Sequence, residues 1–292
     1  MYRARIRSKL AIIQRINENF RQGLKMAETE HGIYFVEEIA KGIYKFYEQR
    51  NASIYLVIGS EKACLIDTAY GLTNLKELVA HYTDLPVTVV NTHGHIDHVL
   101  GNHWFDNAYL NSADKFMYDE IVFEFSMLIN EPWVQDFYGD FVKNIDAEEV
   151  FFPVPQNISE GDVIDLGGRS LEVYEMPGHT KGSIVLIDRA DKICFSGDSI
   201  IENLWLFLEE SEEPAVYLES LKRIREVLKD AGIEKIYNGH FSYEPIGISK
   251  LDDMIEAMEL IVSGKLEETA VENNAGKGIE YTHKDWKVIC RN

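Results

Sequence analysis

The sequence predicts a layered α/β fold in which two β-sheets are covered by helices. Three features of the 292-residue chain support this prediction. Short β-rich runs come first, strands then alternate with helices, and no low-complexity linker or close internal repeat divides the chain. We therefore expect one main domain over residues 32–292, preceded by an extension over residues 1–31.

The β-rich runs are short and rich in β-branched and aromatic residues, as expected for strands. They lie at residues 32–38, 42–48, 53–58 and 63–67. The alternating part begins with a predicted helix at 72–82 and a strand at 87–90. Residues 114–144 are predicted as helical, with Pro132 as an interruption. Further strands are predicted at 171–175, 183–187, 193–196 and 235–237. Helices are predicted at 216–231 and 250–263, and a late strand within 278–290.

The extension differs from the rest of the chain in charge. It carries seven Lys or Arg residues and one Glu within its first 26 residues, whereas the whole chain has a net charge of −20. Apolar residues recur every three or four positions, which is typical of one face of an amphipathic helix. They are Ile6, Leu10, Ile13, Ile16, Phe20 and Leu24. We expect this helix to pack on its own domain or on a second copy of the chain. Membrane or nucleic-acid contact is the alternative.

Charge and cysteine content restrict the partners and the compartment. A surface this acidic repels nucleic acid and anionic membranes at long range. The chain has three cysteines and neither a secretory signal nor an apolar run of about 18 residues. We therefore predict a cytoplasmic protein with no membrane span and a small-molecule substrate.

Polar side chains follow four of the predicted strands, where each strand ends beside a glycine. The four segments are Asn91-Thr-His-Gly-His-Ile-Asp-His98, Met176-Pro-Gly-His-Thr180, Ser196-Gly-Asp-Ser199 and Asn238-Gly-His240. In layered α/β folds, sites gather at the carboxyl ends of strands. We therefore expect these side chains to converge in one cleft.

The converging groups are five imidazoles and two carboxylates. They belong to His93, His95, Asp97, His98, His179, Asp198 and His240. Such donors suit zinc, and also iron or manganese. Seven donors exceed the need of one tetrahedral ion, so the sequence predicts two ions that share one carboxylate.

Together these segments resemble the motifs of the metallo-β-lactamase superfamily, over roughly residues 42–265. The resemblance implies a four-layer αβ/βα sandwich with the metals at one edge, between two sheets. It also implies that His93, His95 and His179 hold the first ion. Asp97, His98 and His240 would then hold the second ion, and Asp198 would bridge the two.

The resemblance extends to Asp67, which matches an early aspartate of the superfamily. It would brace the ligand loop from outside the metal centre. A turn-forming aspartate before Thr68 is the alternative.

The chemistry implied by this centre is hydrolysis. Two divalent ions lower the pKa of a shared water to near neutrality, which supplies hydroxide, and they polarise a carbonyl or phosphoryl oxygen. Asp97 would orient the water as the catalytic carboxylate. The stretch from Pro177 to Gly182 is similar to that of glyoxalase II and related thioesterases. We therefore expect hydrolysis of a small ester, thioester or lactone.

Other activities remain open at this stage. An iron-dependent sulfur dioxygenase, a phosphodiesterase or a non-catalytic binding protein could use the same scaffold. Lactonases of the superfamily have a tyrosine shortly after the bridging aspartate. In this sequence Ser199 and Ile200 follow Asp198, so that tyrosine is absent.

An aromatic-rich segment at residues 115–147 is the predicted substrate wall. It holds eight aromatic residues and begins soon after the first metal motif. We expect Trp133, Phe137 and Tyr138 to contact the substrate, with Trp205 and Phe207 on the facing wall. The alternative is that this segment packs on its own core or on a second copy of the chain.

Overall fold

The computed structural model describes residues 33–292, except for residues 49–51, 144, 148, 241, 243 and 274 and the side chain of Asp140. The helix predicted within residues 1–31 lies outside the described residues. Its packing, and the role assigned to it in assembly, therefore stay predictions.

Seventeen strands lie in the described part of the chain. They are Tyr34–Ala40 (β1), Ile43–Glu48 (β2), Ser53–Ile58 (β3), Ala63–Ile66 (β4), Val87–Val90 (β5), Tyr109–Leu110 (β6), Gln156–Asn157 (β7), Val163–Asp165 (β8), Ser170–Glu175 (β9), Ile184–Asp188 (β10), Ile193–Gly197 (β11), Asn203–Leu206 (β12), Lys235–Asn238 (β13), Ile246–Gly247 (β14), Thr269–Asn273 (β15), Gly276–His283 (β16) and Trp286–Cys290 (β17). The β-rich runs and later strands of the sequence prediction are present, with bounds that shift by a few residues.

Seven α-helices lie in the same part of the chain. They are Leu75–Tyr82 (α1), Ile96–Val99 (α2), Lys115–Tyr118 (α3), Ile121–Ile129 (α4), Pro132–Tyr138 (α5), Pro214–Asp230 (α6) and Lys250–Val262 (α7). Short 3₁₀ turns cover Leu100–Trp104, Ser112–Asp114 and Gly139–Phe141. Pro132 occupies the first turn of α5, where its missing N–H costs nothing, so it begins a helix there.

The strands form three sheets. The first contains β1 to β7 in chain order, antiparallel from β1 to β4 and parallel from β4 to β7. The second has the order β14-β13-β11-β10-β9-β8, with β11 and β13 parallel. The third has the order β12-β17-β16-β15. The late strand predicted within 278–290 is thus a hairpin of β16 and β17, and β17 pairs with the unpredicted strand β12.

Alternation along the central strands produces four layers. On β3, Tyr55 and Val57 face a core shared with Leu186 and Phe195 of the second sheet. The intervening Ile54 and Leu56 face the opposite way, toward the apolar face of α1. The outer face of the second sheet packs on α6 and α7. The order helix, sheet, sheet, helix confirms the predicted αβ/βα sandwich.

The segment 115–147 is largely helical, as predicted, but it has its own core. Trp133 is 8% exposed and Tyr138 is 2% exposed, and both belong to a buried cluster with Tyr70 and Phe125. The Trp133 ring packs on Tyr70, with ring centroids 6.1 Å apart. Phe137 is partly buried against the same cluster, so the three rings predicted to contact the substrate pack in or against the core of the segment. Their substrate role stays a prediction.

Candidate metal centre

The predicted ligands lie on the segments that follow β5, β9, β11 and β13, and two of them, Asp97 and His98, lie in the short helix α2. These segments are tied to one another by backbone hydrogen bonds. Ile184 N donates to Thr92 O at 2.9 Å, and Gly239 N donates to Gly197 O at 2.8 Å. The two sheets therefore present their ligand-bearing loops at one shared edge.

The seven predicted donors come together as three overlapping groups. The groups are His93, His95 and His179; His93, His98 and Asp198; and Asp97, His98 and His240, and within each group the ligand atoms lie within 4.8 Å of one another. Two of these groups contain the residues expected to hold the first and the second ion, and Asp198 belongs to the group between them. The assignment of the residues to two ions stays a prediction.

The first group consists of three imidazoles whose ring nitrogens face one another. His95 Nδ1 lies 3.1 Å from His93 Nε2 and 3.0 Å from His179 Nε2. The opposite nitrogen of each ring is bound to an acceptor outside the group. His179 Nδ1 donates to Trp205 O at 2.9 Å, and His95 Nε2 donates to Glu210 Oε1 at 2.8 Å.

The tautomer of His93 follows from a relay of hydrogen bonds. The Thr92 hydroxyl donates to Asp67 Oδ2 at 2.8 Å, so its oxygen accepts from His93 Nδ1 at 3.0 Å. All three outer nitrogens of the group thus carry protons, and three unprotonated nitrogens point at one another. Burial and the neighbouring imidazoles hold the pKa of His93 well below its usual range and lower that of His179 to about 4. A metal ion therefore fits this position better than an added proton.

The other two groups share His98 and combine imidazoles with carboxylates. Their residues Asp97, His98, Asp198 and His240 are together called the second group below. His98 Nδ1 donates to Asp67 Oδ2 at 2.9 Å, which leaves Nε2 facing Asp198 Oδ1 at 3.5 Å. Within the described part of the chain, both of these facing atoms are buried without a hydrogen-bond partner. His240 Nε2 lies 3.0 Å from Asp198 Oδ2 and 3.7 Å from Asp97 Oδ2.

The pKa values of the imidazoles in the second group are raised, whereas those of His93 and His179 in the first group are lowered. Burial lowers the pKa of His98, but the carboxylates of Asp198, Asp67 and Asp97 outweigh burial and raise it to about 10. Burial would raise the pKa of Asp198, but the imidazoles of His240 and His98 hold it well below its usual range. The unpaired buried atoms and the donor set of five imidazoles and two carboxylates fit the binding of metal ions.

Asp67 and Glu210 support the ligands from outside the centre. Asp67 also accepts from Thr92 N at 2.7 Å, and it lies at the end of β4 with a φ of 61°. Asp67 thus occupies a turn with left-handed backbone and accepts hydrogen bonds from the ligand loop, and its role in bracing a bound metal stays a prediction. Sequence reasoning missed Glu210, because its partner His95 is distant in the chain and no local motif marks the contact.

Asp114 is a second residue that the sequence analysis missed. Its carboxylate accepts hydrogen bonds from Gly94 N at 2.9 Å, Gly182 N at 2.7 Å and Thr180 Oγ1 at 2.6 Å. These donors belong to two different motifs. The glycine in each motif, beside or near a ligand histidine, was the signal that could have indicated a close neighbour.

A cleft of about 700 Å³ opens beside His95. Its apolar lining is formed by Phe116, Met117, Phe207 and Leu208. Its charged lining comprises Lys181, Lys277 and Arg291, together with Glu120, Glu124, Glu209 and Glu210. This mixed lining suits a ligand that has both an apolar and a charged part.

The predicted substrate walls are only partly found in this cleft. Phe207 lines it, and the Trp205 ring packs on Phe207 with centroids 5.3 Å apart. The aromatic contribution of segment 115–147 to the cleft comes from Phe116, which is 55% exposed, and not from Trp133, Phe137 or Tyr138. Phe116 lies on the cleft side of α3, whereas the other three rings pack in or against the buried cluster of the segment.

Comparison with known proteins decides the family. The model of the metallo-beta-lactamase superfamily matches residues 47–240, which is most of the chain. The chain belongs to the metallo-beta-lactamase superfamily. It is 31% identical to acyl-coenzyme A thioesterase MBLAC2 of Homo sapiens over 231 residues, covering 72% of this chain and 78% of the relative. It is 30% identical to hydroxyacylglutathione hydrolase GloC of Haemophilus influenzae over 167 residues, covering 54% of this chain and 70% of the relative.

Solved structures show the same fold. A metallo-beta-lactamase from Pontibacter korlensis superposes with a TM-score of 0.57 at 17% identity, over 77% of this chain and 99% of the other. The metallo-beta-lactamase DIM-1 gives a TM-score of 0.56 at 16% identity, over 78% of this chain and 98% of the other. The predicted superfamily and its thioesterase-like branch are confirmed, and so is the prediction of a hydrolase. None of the helices in the described residues is long and apolar enough to cross a membrane.

Proposed function

We propose that this chain is a dinuclear metallohydrolase that cleaves acyl thioesters of an anionic thiol carrier. The observation that carries the proposal is the seven-donor centre. Its ring nitrogens and carboxylate oxygens converge beside a cleft that is lined by both apolar and charged side chains. Five imidazoles and two carboxylates favour zinc, and iron or manganese would accept the same donors.

Each residue of the centre has a distinct task in this reaction. When bound, two divalent ions would lower the pKa of a water toward neutrality and polarise the carbonyl oxygen of the substrate. His93, His95 and His179 would hold one ion, Asp97, His98 and His240 the other, and Asp198 would contact both. The pKa of Asp97 is lowered because the imidazoles of His98 and His240 outweigh its burial. Its carboxylate is therefore ionised at neutral pH and can accept a hydrogen bond from the attacking water.

The choice of thioesters rests on the relatives and on the cleft. The two named relatives are an acyl-coenzyme A thioesterase and a hydroxyacylglutathione hydrolase. Coenzyme A and glutathione esters are both thioesters of an anionic carrier. Phe116 and Phe207 provide apolar surface for an acyl group, and Lys181 and Lys277 provide cations for the carrier.

The test combines metal analysis with a substrate panel. Protein purified without added metal should contain about two zinc ions per chain. It should hydrolyse acyl-coenzyme A or acylglutathione faster than matched oxygen esters, lactones or phosphodiesters. Stoichiometric iron with oxygen consumption on a persulfide substrate would overturn the proposal in favour of a sulfur dioxygenase. A dominant phosphodiesterase activity would also overturn it.

A further inference from the structure

Asp114 connects the two loops that carry the first group of histidines. The residue is 0% exposed, and its Oδ2 accepts from Gly94 N and Thr180 Oγ1 while its Oδ1 accepts from Gly182 N. Gly94 stands between His93 and His95, and Thr180 directly follows His179. One carboxylate thus fixes the backbone beside all three imidazoles whose free nitrogens converge.

The glycines on both loops leave room for the close approach of Asp114. A Cβ built on Gly182 would lie 2.6 Å from Asp114 Cγ and 2.7 Å from its Oδ1. A Cβ built on Gly94 would lie 2.7 Å from Met117 Cε and 3.1 Å from both Asp114 Cβ and the backbone oxygen of Asp114. Gly182 therefore makes room for the Asp114 carboxylate, and Gly94 makes room for the backbone and Cβ of the same residue, independently of the hydrogen bonds.

The three donors require a partner that only accepts hydrogen bonds. Two of them are backbone N–H groups and the third is a hydroxyl, which also lies 2.8 Å from Ser183 Oγ. An ionised carboxylate offers two acceptor oxygens, whereas the amide of asparagine would direct an NH₂ donor at one of the donors. A change of Asp114 to Asn therefore breaks the connection between the loops with almost no change in volume.

We propose that Asp114 is a positioning residue for the first metal position, which it builds by holding the His93–His95 loop and the His179 loop in register. The inference rests on the proposed metal centre. Loss of the Asp114 carboxylate should weaken binding at the first position, formed by His93, His95 and His179. The second position, formed by Asp97, His98 and His240, should keep its affinity, since none of Asp114's three partners belongs to it.

The experiment measures zinc affinity by chelator competition on the full chain, position by position. His240→Ala removes a ligand from the second position alone, and His179→Ala removes a ligand from the first alone. Adding Asp114→Asn to the His240→Ala protein should weaken zinc binding about 10- to 100-fold, the usual effect of losing a partner that orients ligands. Adding it to the His179→Ala protein should change affinity less than about threefold.

Asp188 provides a matched control. It is also 0% exposed, and its Oδ1 accepts from Ala190 N at 2.9 Å and Asp191 N at 3.1 Å, away from the metal ligands. Asp188→Asn should lower thermal stability and leave zinc affinity unchanged. Equal weakening of zinc binding by Asp114→Asn and Asp188→Asn would overturn the proposal, since the effect would then be general destabilisation. So would unchanged affinity at the first position.

A second variant keeps the proposal testable if Asp114→Asn does not fold. Thr180→Val removes one of the three hydrogen bonds and leaves the carboxylate in place, so it should weaken the first position several-fold and spare the second. No effect at the first position would overturn the proposal. Thioester hydrolysis is measured separately. A protein that binds two ions and cleaves no thioester contradicts the proposed substrate and leaves the Asp114 result standing.

Discussion

The two proposed metal positions consist of different kinds of side chains. The first consists of three imidazoles, each oriented by a hydrogen bond on its outer nitrogen. The second contains two imidazoles and the Asp97 carboxylate, and His240 also contacts Asp198. Its imidazoles are therefore paired with carboxylates in the absence of a metal ion. We therefore expect metal affinity at the first position to depend mainly on the orientation of its imidazoles, and metal affinity at the second to depend mainly on the balance of its charges.

The largest effect should come from removing the group that the two positions share. Asp198 Oδ2 lies 3.0 Å from His240 Nε2 and 3.7 Å from His179 Nε2, so its carboxylate faces both. Asp198→Ala should lose at least the second ion and reduce kcat by more than about a hundredfold. Metal analysis and steady-state kinetics check this outcome. Two retained ions with normal turnover would contradict the assignment of Asp198 as the shared ligand.

The next largest effect separates the supports of the two positions. Asp67 contacts His98 directly and reaches His93 through Thr92, whereas Glu210 contacts His95. Asp67→Asn should weaken zinc binding at both positions by about 10- to 100-fold, the second position more than the first. Glu210→Gln should weaken the first alone. Chelator competition on both variants measures this. An effect of Glu210→Gln on the second position would show that the positions are not supported separately.

Proton competition gives a third contrast. The carboxylates around His98 and His240 raise the pKa of both imidazoles against burial, that of His98 to about 10. A raised pKa means that protons must leave before the second ion binds, so affinity there should fall as pH falls from 9 to 7. The slope is about tenfold per pH unit for each displaced proton. The first position should change less over this range, since the pKa values of His93 and His179 are lowered. Zinc titrations between pH 7 and pH 9 test this contrast, and equal slopes would contradict it.

The smallest effect concerns the cleft and its neighbouring core. Phe116→Ala should raise KM for a long-chain acyl thioester several-fold and affect an acetyl thioester little, because only the long chain reaches that surface. Trp133→Ala is the control. It should cost about 3–5 kcal/mol of unfolding free energy and leave metal content unchanged. Denaturant unfolding and kinetics on both substrates distinguish the two variants. A substrate-selective KM effect from Trp133→Ala would restore its predicted role as a substrate contact.

The sequence predicted the layers and the ligand loops because both depend on local signals. Short runs of β-branched and aromatic residues identify strands such as β3. A histidine that follows the end of a strand beside a glycine lies at the edge of the sheet. The functional faces of the aromatic helices were not predictable in the same way. Phe116 and Trp133 both lie in apolar helical stretches, and only packing decides which ring faces the cleft.

The residues that orient the ligand histidines, Asp114 and Glu210, were not predicted for a related reason. Asp114 meets Thr180 and Gly182, and Glu210 meets His95, across long sequence separations. An isolated acidic residue in a polar loop carries no sign of such a partner. The third sheet was missed because β12 has four residues and pairs with a strand far along the chain.

The pairing of β12 with β17 has a consequence for synthesis of the protein. His179 is oriented by the carbonyl of Trp205 on β12, and Trp205 is paired in parallel with Ile289 of β17. A nascent chain that has emerged as far as His240 already contains all seven ligands. It still lacks β17, the strand that pairs with β12 and so holds the Trp205 carbonyl that orients His179. We therefore expect the orientation of His179 to be complete only after residues 286–290 have left the ribosome and paired with β12.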